Sequence, residues 1–258
     1  MIQSIQRIHD ILSLFSIERP QWGITDIALS LGLPKTTVSS LVRTLAQLGF
    51  LEQDADSKKY RLGPKLFTLG IIMGETLEIN QKSEALANQL AERTGLMCRV
   101  AIWDGDAALV TLNVTPQNMV YFARRIGPRI EAYCTSLGRA LLAFMEDGQI
   151  RLYLKTIKMV QLTPHTISRK TQLMKELEQT RLRGYAINKQ EVTVGRASIA
   201  VPIFKSGGQP AASISLTGDL ERLFGSDLNQ LVLALQGTSA EISRSMGFSP
   251  GSHALSQY

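Results

Sequence analysis

The sequence predicts an α+β chain in two parts, an N-terminal winged helix-turn-helix and a larger C-terminal domain of mixed helices and antiparallel strands. Three observations carry this. Between Ile24 and Gly63 two short amphipathic helical patterns lead into a charged hairpin. From Met97 onward the apolar period changes from that of a helix to that of a strand. A length of 258 residues, 44% of them apolar, suits two modest domains better than one.

The first part covers residues 1–65. An opening helix turns Ile5, Ile8, Leu12 and Phe15 inward and leaves Arg7 placed to meet a phosphate. Thr25 is the expected N-cap of a short helix that buries Ile27, Ala28 and Leu31 and stops at Gly32. Pro34 cannot continue that helix but suits the entry to the next. The second helix sets Val38, Leu41, Val42, Leu45 and Leu48 on one face and ends at Gly49. Its other face holds Lys35, Thr36, Thr37, Ser39, Ser40, Arg43 and Gln47, with two cations, no acid and several short hydroxyls. Such a face suits a major groove lined by phosphates and base-edge acceptors. Residues 50–53 and 59–62 then form a hairpin around the turn-rich stretch 54–57. Lys58, Lys59, Arg61 and Lys65 on its outgoing arm make it a wing that reaches the sugar-phosphate backbone. Double-stranded operator DNA is the expected partner.

Charge supports this locally rather than globally. The whole chain is +6, yet residues 1–65 hold eight Lys/Arg and six Asp/Glu, a net of only +2. One copy would bind DNA modestly, which favours a dimer presenting two heads. Two cysteines and three scattered histidines show no metal spacing and no disulfide framework, and no cofactor is expected. No apolar run reaches membrane-spanning length and no secretory pattern opens the chain, so a cytoplasmic location is expected.

Residues 66–80 form an apolar linker helix (Leu66, Phe67, Leu69, Ile71, Met73, Leu77) suited to packing on a partner chain. Residues 81–248 form the second domain, and the polar tail 249–258 is expected to fray. Within that domain a helix spans 83–94 and ends at Gly95. A hairpin of 97–103 and 108–114 turns at Asp104-Gly105-Asp106, and residues 119–124 add a strand. Helices follow over 137–144 and 169–183, then strands over 185–188, 198–204 and 211–217, and a closing helix over 227–246.

Three stretches in order resemble the IclR family of bacterial transcriptional regulators. They are Leu33-Pro34-Lys35-Thr36-Thr37-Val38 with Leu48-Gly49-Phe50-Leu51; residues 134–143, starting Cys134-Thr135-Ser136-Leu137-Gly138-Arg139; and Arg183-Gly184-Tyr185-Ala186 with Glu191, Gly195 and residues 198–204. The resemblance implies a winged DNA reader joined by a helix to a GAF-like effector domain. It also implies assembly as a dimer or dimer of dimers, and control, commonly repression and sometimes activation, of catabolic operons. By the same resemblance a small organic acid sits among Ser136, Leu137, Gly138, Asn188, Ser198, Ser215 and Thr217. The residue chemistry agrees: backbone N–H groups opening a helix at 137–138 attract an anion, and the hydroxyls of Ser198, Ser215 and Thr217 can donate to its oxygens. Many members carry His at Tyr133 and Asp at Asn188. The amide at Asn188 removes a negative charge beside the expected anion, and the Tyr133 phenol either reaches the pocket or fills core. Arg124, Arg125 and Arg129 are weighed as a carboxylate clamp, whereas Arg139 is expected to pair with Glu191 or another acid.

Two other readings compete. An enzyme using Cys98 or Cys134 would need a base, and His165, in a loop, is the one histidine in the second domain. An architectural DNA binder would have no effector at all.

Overall fold

The computed structural model describes residues 2–116, 129–225 and 227–249. They form two compact units, Met1–Glu75 and Thr76–Tyr258. The strand expected over 119–124, together with Arg124 and Arg125, lies outside the described residues, as does the tail beyond 249.

In the first unit helix α1 (Gln3–Ser13) leads into α2 (Ile24–Leu31) and α3 (Lys35–Gln47). A two-stranded antiparallel wing follows, β1 (Leu51–Gln53) and β2 (Tyr60–Leu62), and then helix α4 (Pro64–Thr76). The core is Ile11, Trp22, Ile27, Val38, Val42, Leu45, Leu51 and Tyr60. Two apolar residues expected inside are not. Ile5 is 60% exposed, and Ile11 takes the central place on α1. Leu48 is also 60% exposed, because α3 has ended and Leu48 is its C-cap. Gly32 sits at φ 63° with its N–H bonded back to the helix, the left-handed stop its type supplies without strain. Thr25 is not the N-cap of α2. Gly23 holds that position, and Thr25 lies exposed in the first turn. The chain leaves the wing so close to the end of α3 that a Cβ at Gly63 would stand 2.2 Å from the Gly49 carbonyl oxygen. A side chain there would push the wing away from α3.

The linker helix expected over 66–80 is two helices. Leu77 is extended, so α4 stops at Thr76 and a separate helix, α5 (Glu78–Thr94), begins after it. In the second unit β3 (Met97–Asp104) and β4 (Ala107–Val114) form the expected hairpin, and β5 (Arg129–Glu131) joins its outer edge. Helices α6 (Ser136–Leu142), α7 (Asp147–Thr156) and α8 (Lys170–Arg183) follow. Strands β6 (Ala186–Lys189), β7 (Arg196–Phe204) and β8 (Pro210–Asp219), a short α9 (Leu220–Leu223) and α10 (Leu228–Ser245) complete the unit. The sheet is antiparallel throughout, in the order β5-β4-β3-β8-β7-β6.

The period of two divides its faces. Cys98 and Val100 of β3, Ile199, Val201 and Ile203 of β7, and Ile214 and Leu216 of β8 pack with Leu90 of α5 and Leu235 and Ile242 of α10. Each large aliphatic buried there contributes about 1.5–3 kcal/mol. The opposite face carries Ala101, Ala108 and Ala200 under Leu137, Ala140 and Leu141 of α6. Small residues on this second face let α6 approach closely. A Cβ at Gly138 would meet Ala132 Cα at 2.2 Å, so the start of α6 is pressed onto the segment before it.

Candidate functional site

The DNA-facing candidates lie on one helix and one hairpin. On α3 Lys35, Thr36, Ser40 and Arg43 are exposed, and Thr37 and Ser39 are half-buried beside them. Thr25 is exposed at the start of α2, and Arg7 is half-buried on α1. Two cations of the unit are already paired, Arg19 with Asp26 at 3.4 Å and Arg61 with Glu52 at 3.1 Å across the wing. Among the described residues Arg7, Lys35, Arg43, Lys58, Lys59 and Lys65 form no ion pair, so their charge faces outward. Arg61, expected to serve the wing's phosphate contact, is instead held by Glu52. The wing tip is closed by Asp54, whose Oδ1 accepts from the Ser57 N–H (2.8 Å) and hydroxyl (2.7 Å). Those two bonds hold the Asp54 carboxyl below the usual carboxylate range. Lys58 completes the tip in the left-handed region (φ 57°), which leaves Lys58 and Lys59 exposed at its edge.

The second candidate site is a pair of rungs running across the α6 side of the sheet. Strand pairing aligns Asn188 of β6, Ser198 of β7, Thr217 of β8 and Met97 of β3 in one rung. The next rung is Ala186, Ala200, Ser215, Arg99 and Asn113. The expected effector residues are therefore brought together. Ser136 at the start of α6 shares a 2.7 Å hydroxyl–hydroxyl bond with Ser198, and Ser213 donates to the Leu137 carbonyl at 3.0 Å. Thr135 caps α6 by accepting from the Gly138 N–H, so one of the donors expected to meet an anion is already taken.

Several of the residues singled out in the sequence make bonds within the fold. Asn188 donates to the Cys134 carbonyl at 2.5 Å and accepts from the Glu191 N–H at 3.2 Å, fastening β6 to the entry of α6. The Tyr133 phenol donates to the Val160 carbonyl (2.7 Å) and accepts from the Val160 N–H (3.1 Å), so it anchors a loop. Arg129 is spent on the β3–β4 turn, with Asp104 at 2.9 Å and Asp106 at 2.6 Å, and is no carboxylate clamp. Arg139 and Glu191 pair as expected, both buried. Sequence reasoning passed over Arg99. It is a buried cation at an alternate position of an apolar strand, and only the register shows that it stands directly opposite Ser215.

The thiols do not suit catalysis. Burial pushes Cys98 and Cys134 each up to about 12, so neither supplies a thiolate at neutral pH. Among the described residues no group of His, Cys, Asp and Glu could hold a metal ion, and no helix is long and apolar enough to cross a membrane. The raised thiols carry a sign. Unfolded thiols ionise near about 8.5, so above that pH the unfolded chain loses protons that the folded chain keeps. Stability of the second unit falls from about pH 8.5 to 10, by roughly 1 kcal/mol per pH unit for each thiol. Urea midpoints at pH 8 and 10 test this. Cys98→Ala flattens the profile, and an unchanged profile would show that Cys98 is not held protonated.

The whole chain has relatives that share this plan. Residues 4–55 match the IclR helix-turn-helix domain, and residues 73–244 match the domain described as bacterial transcriptional regulator IclR C-terminal. The chain belongs to the IclR family. It is 31% identical to the HTH-type transcriptional regulator XynR of Escherichia coli over 96% of this chain and 98% of that protein. A crystal structure of an IclR-type regulator from Alicyclobacillus acidocaldarius superposes with a TM-score of 0.81 at 26% identity, over 95% of this chain and 98% of that one. An IclR homolog from Microbacterium hydrocarbonoxydans, complexed with 4-hydroxybenzoate, has the same fold. Its TM-score is 0.78 at 21% identity, with 96% of this chain and all of that one covered. The chain is thus a transcriptional regulator with a helix-turn-helix DNA reader.

Proposed function

We propose that this IclR-family chain is a ligand-responsive repressor of a catabolic operon. Residues 1–65 read operator DNA, 66–80 link, and a small organic acid binds in 81–248. The observation that carries the effector half is the convergence of Ser136, Ser198, Ser215 and Thr217, from three separate segments, on one face of one sheet. Of these four, the buried Ser215 hydroxyl has no hydrogen-bond partner among the described residues, which supports its being open to a ligand. That the Microbacterium homolog is complexed with an aromatic acid supports the same chemical class. The protein works in the cytoplasm as a dimer or dimer of dimers. The exposed apolar side chains of α4, Phe67, Leu69 and Ile71, favour assembly.

The mechanism is a population shift. An effector that binds one arrangement of the second units better than another changes the fraction of assemblies able to seat both heads. Coupling must then be reciprocal. With DNA from upstream of the chain's own gene, a stabilising acid lowers operator affinity by some factor, and operator DNA lowers affinity for that acid by the same factor. Fluorescence anisotropy and calorimetry measure the two directions. Operator binding that ignores every acid tested would leave an architectural DNA binder as the better reading.

A further inference from the structure

We propose that α7 and the loop after it form a docking surface for a second protein, one that offers an acidic segment with an apolar stripe. Charge is the first observation. Residues 150–175 hold six Lys/Arg and no Asp or Glu. Residues 66–258 hold 20 Lys/Arg and 16 Asp/Glu, so outside this run the balance is 14 against 16. The whole positive excess beyond residue 65 is therefore gathered in one stretch. All six side chains are exposed, and none forms an ion pair among the described residues. A charge run by itself is ordinarily a solvated face.

What sets this run apart is the apolar surface inside it. On α7 Ile150 and Tyr153 are buried, while Arg151, Leu152 and Lys155 share an outward arc of about 100°. Leu152 is 64% exposed, and Val160 and Leu162 in the following loop are 59% and 47% exposed. One exposed aliphatic is unremarkable, but three among Arg151, Lys155 and Lys158 make a mixed patch. The loop is also held in place. The Tyr133 hydroxyl bonds both backbone groups of Val160, at 2.7 and 3.1 Å. The Leu162 and Thr163 N–H groups donate to the Thr166 hydroxyl oxygen at 3.1 and 2.8 Å, and the Thr163 hydroxyl donates to the Gln190 carbonyl at 2.7 Å. Val160 and Leu162 are thus presented to solvent on an ordered backbone, and a partner need not order it first.

The mixture selects the partner. Duplex DNA answers the cations but leaves the aliphatic side chains unmatched. A lipid surface favours exposed Trp and Phe beside the cations, and residues 150–175 contain neither. A second copy meeting this face through a twofold axis sets cation against cation. A protein segment with leucine-like side chains bordered by carboxylates satisfies both halves of the patch.

The test uses the full-length chain and a labelled helical peptide of about 18 residues, with leucines at i, i+3, i+4 and i+7 bordered by glutamates. Fluorescence anisotropy is expected to give a Kd below about 100 μM, weakened about fivefold or more when salt rises from about 0.05 to 0.5 M. Serines in place of the leucines weaken binding about tenfold. Lys155→Glu with Lys158→Glu does the same, and Leu152→Ser with Val160→Ser costs about fivefold. These side chains are exposed, so the thermal midpoint holds; Lys155→Gln with Lys158→Gln replaces the glutamate pair if it does not. Lys205→Glu, exposed before the β7–β8 turn, leaves affinity within about twofold. Absence of peptide binding at about 1 mM overturns the proposal, as does a serine peptide that binds as tightly as the leucine peptide. The face is a nucleic-acid or lipid contact instead if operator-free duplex or phosphatidylglycerol vesicles displace the peptide and are weakened by the glutamate pair but not by the serine pair. A drop in oligomeric state with Leu152→Ser and Val160→Ser, read by sedimentation, assigns the face to a second copy and overturns the proposal as well.

Discussion

Replacing Glu191 with Ala destabilises the second unit by about 3–5 kcal/mol, because it leaves the buried charge of Arg139 without its partner. Arg139 is 1% exposed, so removing its partner leaves a guanidinium with no water to return to. Four of its bonds converge on that point. Nε donates to the Tyr133 carbonyl (2.8 Å) and Nη1 to the Ile187 carbonyl (2.8 Å) and Glu191 Oε1 (2.7 Å), with Nη2 on Oε2 completing the fork. Glu191 Oε2 also accepts from the Ile167 N–H at 3.2 Å, and the Thr166 hydroxyl donates to the Glu191 carbonyl at 2.6 Å. The pair thus ties α6, the end of β6 and the loop before α8. Glu191→Gln keeps the shape and loses the charge, and should cost about half as much. Arg139→Met with Glu191→Leu removes both charges and should recover most of the loss, because desolvation and attraction nearly cancel in a buried pair. The measurement is urea unfolding followed by Trp103 fluorescence in a Trp22→Phe background, which isolates the second unit. A Glu191→Ala loss below about 1 kcal/mol would mean that water reaches Arg139 and that the pair is not buried in solution.

How much of this was legible beforehand depended on which physical signal each feature left. Helix α3 was legible almost to the residue because Val38, Val42 and Leu45 recur at helical spacing and Gly49 follows. The β3–β4 hairpin was legible because Asp104-Gly105-Asp106 interrupts two apolar runs. The width of a buried stripe was not. Periodicity put Ile5 and Leu48 inside, and only packing shows that the core closes before reaching them. Helix α7 was missed although its signal was present, a capping box of Glu146 and Gln149 ahead of Ile150 and Tyr153. Asn188 is placed among the effector residues by the family resemblance alone, which carries no information about its hydrogen bonds. Its amide turns out to be fastening the Cys134 carbonyl, a contact 54 residues apart along the chain. Arg99 illustrates the deeper limit. A single cation in a strand is usually solvated, and only the register with β8 places it against Ser215.

Lys35→Ala and Arg43→Ala, made together, should weaken operator binding 30- to 1000-fold at physiological salt while leaving effector affinity unchanged. Both side chains are exposed on α3 and form no ion pair among the described residues, so their charge is available to phosphates. Two lost cations per head remove about four phosphate contacts from a complex that seats two heads. The slope of log affinity against log salt then becomes shallower by roughly 0.9 per contact, or between three and four. Thr37→Ala is a useful contrast. It carries no charge, so it should leave the salt slope alone and instead narrow the gap between operator and unrelated DNA. Arg61→Ala is a second contrast, because Glu52 already holds that guanidinium at 3.1 Å and little phosphate binding is lost with it. A full salt series on operator and scrambled DNA separates the three cases. If Arg61→Ala lowers the slope as much as the α3 pair does, the wing rather than α3 carries the phosphate contacts. If the α3 pair also weakens effector binding, the division between reader and sensor fails, because no residue it alters belongs to the sheet that holds Ser198, Ser215 and Arg99.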